Sequence, residues 1–278
     1  MIWLLRLLVL VLALTALQTL LFYLFWALDR RRHPPALLQP LVPWKVVRTV
    51  VLEWWAMSLM VLAAPLRFIP WRRRLRPAAG AVPVVLVHGY GGDHINFLAM
   101  QWWLRWHGFS QVHAVSYVPP VIDARRLAQQ VVDHVQRIRA ATGAAQVDLV
   151  CHSMGGPLTR YALQHLGLAG QVRRAVFLGS PLAGTRLSNL LPIPGAAHQL
   201  RYQSPFLSDL NRLGEPPGDC RFYAIYSDMD NFVFPADSAR VAVGENIHLP
   251  YHGHCALLYS PQVLRRVVQC LDQPEPAA

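Results

Sequence analysis

One serine stands where a nucleophile would be expected. Ser153 follows the buried-type apolar run 147–151 and precedes a glycine-rich helix start, so a strand would turn sharply into a helix at the serine. Such a turn needs small residues two positions before and two after the serine, and these are Cys151, where glycine is usual, and Gly155. The following helix would direct its positive N-terminus at the oxyanion formed in acyl transfer. Taken alone, the string also suits a serine that caps an ordinary helix.

A glycine-rich segment, His88–Gly92, follows the apolar run Val84–Val87. Glycine allows backbone N–H groups to turn inward, as an oxyanion hole requires. The backbone N–H groups of Tyr90 and Met154 are therefore the predicted oxyanion donors. A plain strand-to-helix turn is the alternative interpretation of this segment.

A carboxylate and a histidine follow Ser153 in the order typical of Ser-Asp-His hydrolases. Asp230, after the apolar run 222–227, is predicted to orient the histidine, with Asp228 as the alternative. His254, before the last helix, is predicted to be the general base, with His252 as the alternative. His254 would take the proton of Ser153 as its hydroxyl attacks an ester carbonyl, and water would release the acyl-enzyme. This chemistry requires no metal and no organic cofactor.

The elements that must position these residues alternate between strands and helices. This alternation predicts an α/β fold with a mostly parallel sheet and helices on both faces. The interval 181–219 breaks the rhythm and is predicted to be a lid-like insertion, and 77–83 a linker. The predicted strands are 84–87, 112–115, 147–151, 174–178, 222–226 and 241–248; the predicted helices are 97–106, 123–141, 155–166 and 261–271.

The N-terminal region has a different composition. Residues 7–28 form a run of 22 uncharged residues, which as a helix would be about 33 Å long and could cross a bilayer. The run is longer than the apolar region of a signal peptide, so we predict a retained transmembrane anchor. A second apolar stretch, 46–69, contains Arg48, Glu53 and Arg67 and is either a second crossing or a helix in the interface.

The positive charge also belongs to the N-terminal region. Residues 1–76 hold eleven Lys or Arg against two acids, whereas the remainder holds fifteen against thirteen, within a total net charge of +11. Because the basic residues flank apolar runs, an anionic bilayer surface is the expected partner, and nucleic acid is not. The basic segments 30–48 and 72–76 favour a single crossing and a catalytic domain on the cytoplasmic side. We therefore divide the chain into an anchor, 1–76, and a catalytic domain, 77–278.

Four cysteines occur without a CxxC pair or metal-ligand spacing: Cys151, Cys220, Cys255 and Cys270. We expect free, mostly buried thiols. A Cys220–Cys255 disulfide is the alternative in an oxidising compartment.

The region from about Val82 to Leu271 resembles the bacterial lipases and esterases of the α/β-hydrolase superfamily. His88–Gly92 is similar to their HGxGG strand end, and His152–Gly156 to their GHSMGG elbow. Segments 179–185, 204–210, 230–235 and 253–261 are similar to further family motifs, with an altered TPHxGT in the first. The resemblance implies a Ser153, Asp230, His254 triad, with Tyr90 and Met154 as oxyanion donors. It does not cover residues 1–76, where the predicted anchor leads us to expect a location in a bacterial inner membrane.

The predicted substrate is a lipid or another acyl ester of medium to long chain, because the anchor would place the site at a bilayer. An acyltransferase or thioesterase with the same triad is one alternative. A non-catalytic anchored scaffold, or a binding or assembly factor, is the alternative from a different class.

Overall fold

The computed structural model describes residues 2–34, 40–69, 80–119, 121–191, 194–212, 214 and 219–273. Over these residues the chain forms a parallel sheet of order β2-β1-β3-β4-β5-β6. The strands are β1 (Val84–Val87), β2 (Val112–Val115), β3 (Val147–His152), β4 (Val172–Leu178), β5 (Arg221–Tyr226) and β6 (Glu245–His248).

The central strands are apolar on both faces because helices cover both sides of the sheet. Every residue of β1 and of β3 is buried, as a parallel sheet of this kind requires. β1 pairs with β3 from Val84 opposite Asp148 to Val87 opposite Cys151. Because the strands are parallel, the segments that follow β1, β3 and β5 emerge at one edge of the sheet, and all the predicted site residues lie there or in the loop after β6.

One long helix of this α/β region has the caps that its sequence suggests. Helix α4 (Ala124–Thr142) begins after Asp123, whose carboxylate accepts a hydrogen bond from Arg125 N at 2.7 Å, and ends at the left-handed Gly143. The other long helices of the region are α3 (Leu98–Trp106), α5 (Gly155–His165) and α9 (Pro261–Asp272). The α/β class and the parallel sheet predicted from the alternation are confirmed.

Several element boundaries differ from the prediction. Strand β6 covers only the second half of the predicted 241–248, because the Asn246 amide bonds both Val241 N and Val241 O at 2.9 Å and folds the first half into a loop. Helix α3 starts at Leu98, after a 3₁₀ turn, His94–Phe97, that Asp93 caps. Strand β4 begins two residues before the start of the predicted strand 174–178.

Among its described residues, the interval 181–219 contains three short helices, α6 (Leu187–Leu190), α7 (Ala196–Gln199) and α8 (Pro205–Arg212). Phe206, Leu207 and Leu210 of α8 are buried in the core cluster that includes α5. This part of the insertion is therefore packed against the sheet domain. Residues 77–79 of the predicted linker 77–83 and the whole basic segment 72–76 lie outside the described residues.

Two long helices precede the sheet. Helix α1 (Ile2–Arg32) and helix α2 (Pro43–Ala63) pack side by side, and we call them the hairpin. By length and composition, each is apolar enough to cross a membrane, α2 together with the 3₁₀ turn Ala64–Phe68. Thr15 and Ser58 share a hydrogen bond of 2.7 Å between the helices, and Trp54 donates to Leu12 O at 2.9 Å.

Candidate active site

Ser153 lies on a tight turn between β3 and α5. Its backbone has a φ of 55°, a conformation that a non-glycine residue adopts only when the surroundings hold it there. Ser153 N donates to Leu178 O at 3.0 Å, which ties the turn to the end of β4. This strained strand–turn–helix geometry exposes the hydroxyl above the carboxyl edge of the sheet.

Two glycines allow other segments to approach this turn. A Cβ on Gly155 would lie 2.6 Å from Val87 O, and a Cβ on Gly89 would lie 2.6 Å from Ser153 Cβ. The loop after β1 therefore lies directly against the serine. The N–H groups of Tyr90 and Met154 donate no hydrogen bond to any described residue, so both are available to an oxygen in the site.

His88 holds the loop after β1 in place. Its Nδ1 must carry the proton, because its partner at 2.8 Å is the carbonyl oxygen of Gly89, which only accepts. The ring stacks on Tyr117 with centroids 4.1 Å apart, and the Tyr117 hydroxyl donates to His88 O. Burial lowers the pKa of His88 to about 4, so the ring is neutral at physiological pH. The sequence motif located His88, but nothing in it indicated Tyr117.

Asp230 and His254 form a buried pair. His254 Nδ1 donates to Asp230 Oδ2 at 2.9 Å. The other oxygen, Asp230 Oδ1, accepts from Phe232 N at 2.9 Å and Val233 N at 2.8 Å. These bonds orient the carboxylate and leave His254 Nε2 free. The ring stacks on Phe232 with centroids 4.7 Å apart.

The charge environment of His254 favours its protonated form. Burial lowers the pKa of His254, but the charge of Asp230, the hydrogen bond to it and the charge of Glu53 together raise that pKa above its ordinary value. His152 lies beside it and donates from Nε2 to His254 O at 3.1 Å. Burial, and secondarily the neighbouring His254, hold the pKa of His152 well below its usual range, so His152 is neutral.

The alternative residues lie outside this pair. The carboxylate of Asp228 is 3.5 Å from His248 Nε2, at the end of β6. His252 Nε2 lies 2.9 Å from Ser260 Oγ. Neither Asp228 nor His252 contacts the other, and neither is bonded to the Asp230–His254 pair.

Ser153 and His254 line one cavity of about 360 Å³. Ser153 Oγ has no hydrogen-bond partner among the described residues. In hydrolases without substrate, the bond between the serine and the histidine is often long and forms fully only when substrate binds. The walls of the cavity come from the loop after β1, the insertion, the loop after β5 and the hairpin. The hairpin contributes side chains that the sequence analysis assigned only to the anchor: Gln18, Phe22, Met57, Met60 and Val61.

Within the described ranges, no group of three or more His, Cys, Asp or Glu residues is placed to hold a metal ion. Cys151, Cys220, Cys255 and Cys270 are free thiols. Cys151 Sγ lies 3.2 Å from Thr159 Oγ1 on helix α5. The cysteine that replaces the usual glycine of the elbow thus packs behind the nucleophile.

Comparison with known proteins finds similarity to lipases. The family model described as lipase (class 2) matches residues 81–254. A triacylglycerol lipase of Pseudarthrobacter phenanthrenivorans and one of Burkholderia plantarii are each 29% identical over 122 residues, 41% of this chain. The matched region spans 37% and 33% of the length of those relatives.

Solved structures share the fold. Lipase B of Aspergillus fumigatus superposes with a TM-score of 0.63 at 20% identity, over 73% of this chain and 57% of that one. The mature lipase BlEst2 of Bacillus licheniformis superposes with a TM-score of 0.60 at 18% identity, over 70% of this chain and 94% of that one.

Proposed function

Since the chain belongs to the class 2 lipase family, we propose that it is a membrane-anchored serine hydrolase that cleaves the carboxylic ester bonds of lipids. One observation carries the proposal. His254, which is buried and paired with Asp230 and whose Nε2 is free, lines the same cavity as Ser153, a serine on a strained turn.

The residues supply each part of an acyl-transfer reaction. His254 Nε2 takes the proton of Ser153 Oγ as the oxygen attacks the ester carbonyl, and Asp230 stabilises the imidazolium. The N–H groups of Tyr90 and Met154 bind the oxyanion. His254 then returns the proton to the leaving alcohol, and a water molecule activated by the same histidine hydrolyses the acyl-enzyme.

The cavity favours an acyl chain as the group bound beside Ser153. Most of its other lining side chains are apolar, for example Leu187, Leu191 and Leu200 from the insertion. Met57 and Met60 add flexible apolar surface from the hairpin. An acyl chain buried here gains about 0.8 kcal/mol per CH₂.

The hairpin is proposed to remain attached in the mature protein. Trp26 Nε1 donates to Asp228 O at 3.1 Å and Tyr23 donates to Met229 O at 3.3 Å, and Asp29 pairs with Arg186 at 3.0 Å. A cleaved signal peptide would remove these contacts and one wall of the cavity. We place the catalytic domain on the cytoplasmic side, from the basic segments that flank the apolar runs; a reporter fused at the C-terminus tests this orientation.

A fluorophosphonate label tests the reaction. The wild-type protein is expected to be labelled, and Ser153→Ala is expected to be unlabelled and to lose activity by about 10⁴-fold or more while keeping its thermal unfolding temperature. A folded wild type that is not labelled would contradict the proposal and favour an anchored scaffold.

An ester panel of increasing acyl length then tests the substrate class. The ratio kcat/KM is expected to rise from short to medium and long chains, because each CH₂ adds buried apolar surface. A flat response would count against a lipid. Product analysis with added alcohol or thioester distinguishes a hydrolase from an acyltransferase or a thioesterase.

A further inference from the structure

Helix α2 carries a single acidic residue, Glu53, in a mostly apolar sequence, and that residue faces the catalytic domain. Glu53 is completely buried. A buried carboxylate is costly unless hydrogen bonds compensate it. Glu53 has such bonds, and they come from the loop that bears His254.

The two carboxylate oxygens bind successive backbone N–H groups. Oε1 accepts from Cys255 N at 3.0 Å, and Oε2 accepts from Ala256 N at 2.9 Å. These N–H groups belong to Cys255, the N-cap residue that follows His254, and to Ala256, the first residue of the 3₁₀ turn Ala256–Leu258. Glu53 therefore caps this turn from another helix, about 200 residues away in the chain.

Glu53 approaches the loop so closely that residue 253, which precedes His254, has no room for a side chain. A Cβ on Gly253 would lie 2.4 Å from Glu53 Oε2 and 2.7 Å from Glu53 Cβ. Gly253 and the two N–H donors flank His254 on both sides. The carboxylate thus contacts the chain immediately before and after the histidine.

The peptide groups of His254 are held as well. His254 N donates to Asn231 Oδ1 at 3.3 Å, and His254 O accepts from His152 Nε2 at 3.1 Å. With Glu53 binding the next two N–H groups, the backbone from which the imidazole projects has little freedom. A shift of this loop would move Nε2 relative to Ser153 Oγ.

The charge of Glu53 acts in the same direction. No Lys or Arg among the described residues forms an ion pair with it. The titratable groups around His254 are Asp230, Glu53, His152 and the Cys255 thiol. Of these, Asp230 and Glu53 stabilise an imidazolium, which His254 becomes when it takes the serine proton.

We propose that Glu53 is a positioning residue for His254, so that the hairpin completes the catalytic site as well as attaching it to the bilayer. This role rests on the proposed hydrolase function. It assigns the mostly apolar helix α2 a direct part in the geometry of the general base.

The test compares Glu53→Gln with Thr49→Ala in the full chain, reconstituted in detergent micelles. Gln keeps the size of the side chain, but loses the charge and turns an N–H₂ toward one backbone donor. Thr49 Oγ1 donates to Tyr251 O at 3.0 Å, so its removal weakens the contact of the same helix with the same loop without changing charge.

For Glu53→Gln we expect kcat for a medium-chain ester to fall by about tenfold or more, with KM within about twofold because the cavity walls are unchanged. The acidic limb of the kcat/KM profile is expected to move to lower pH, because loss of a nearby negative charge makes the imidazolium easier to deprotonate. Thr49→Ala is expected to keep the wild-type acidic limb and a kcat within about twofold.

Glu53→Asp serves as the conservative variant, since it keeps the charge with a shorter reach. It is expected to keep the acidic limb near that of the wild type while kcat falls less than in Glu53→Gln. If Glu53→Gln does not fold, Glu53→Asp provides the test. A kcat lower than that of Thr49→Ala, at the same unfolding temperature, would support the positioning role. Equal kcat values in these two variants would refute it.

A Glu53→Gln protein that loses stability but keeps the kcat and acidic limb of the wild type would refute the positioning role and leave Glu53 a packing residue. A wild type that no fluorophosphonate labels would instead refute the hydrolase function, and the positioning role with it. The label on Ser153 therefore separates the two failures.

Discussion

The sheet domain and the hairpin follow opposite rules of burial. In the sheet domain the valines and leucines of β1 and β3 are buried. In the hairpin the buried residues of α1 are Thr15, Thr19, Tyr23 and Trp26, whereas Leu14, Leu17 and Leu21 are exposed. A helix that turns its polar side chains inward and its leucines outward is suited to an apolar surrounding.

The contacts inside the sheet domain also differ in chemistry from those between the hairpin and the catalytic loops. The core of the sheet domain is held by apolar packing on both faces of the sheet. The hairpin reaches the catalytic loops with polar groups, among them Trp26 and Glu53. The comparison teaches that hydrogen bonds as well as apolar contacts join the hairpin to the site. The outward leucines of the hairpin are left for another partner, which we propose to be lipid.

The largest effect is expected inside the sheet domain. Asp230→Asn should lower kcat by about 10³- to 10⁴-fold, because the amide N–H₂ would face His254 Nδ1–H and favour the wrong tautomer. Steady-state kinetics on a medium-chain ester measure this loss.

The matched control is Asp228→Asn, whose carboxylate is partly exposed and pairs with His248. Its effect on kcat should stay within about threefold. Equal losses in the two variants would contradict the assignment of Asp230 as the acid.

The exposed leucines of the hairpin give the next test. Leu17 is 65% exposed. Its replacement by Arg should weaken membrane binding by about 3 kcal/mol, without lowering the unfolding temperature in detergent. Flotation with liposomes measures the bound fraction. Leu17→Ala is the control, and an Arg variant that floats as well as this control would show that the face does not contact lipid.

The smallest effect is expected within the hairpin. Ser58→Ala removes the 2.7 Å hydrogen bond to Thr15, and such bonds between helices in an apolar setting contribute about 0.6 kcal/mol. A cycle with Thr15→Ala and the double variant, followed by thermal unfolding in detergent, measures the coupling. A coupling of zero would mean that packing alone holds α1 against α2.

Much of the sheet domain could be predicted because its signals are local. The run Val84–Val87 is uniformly apolar and ends in glycine-rich sequence, and Asp123 precedes a periodic helix. Strand β6 was predicted four residues too long, since the bonds of the Asn246 side chain to Val241 compete with the sheet in a way that no propensity indicates.

The sequence by itself determined the α/β class, the order of Ser153, Asp230 and His254 along the chain, and the apolar length of the two N-terminal helices. Each of these follows from the type and spacing of neighbouring residues. Only the tertiary structure decided that Asp230 rather than Asp228 lies at His254, that the hairpin lines the cavity, and that Glu53 contacts the loop of His254. These contacts join residues that are distant in the chain, and a pattern of neighbouring residues carries no record of such contacts.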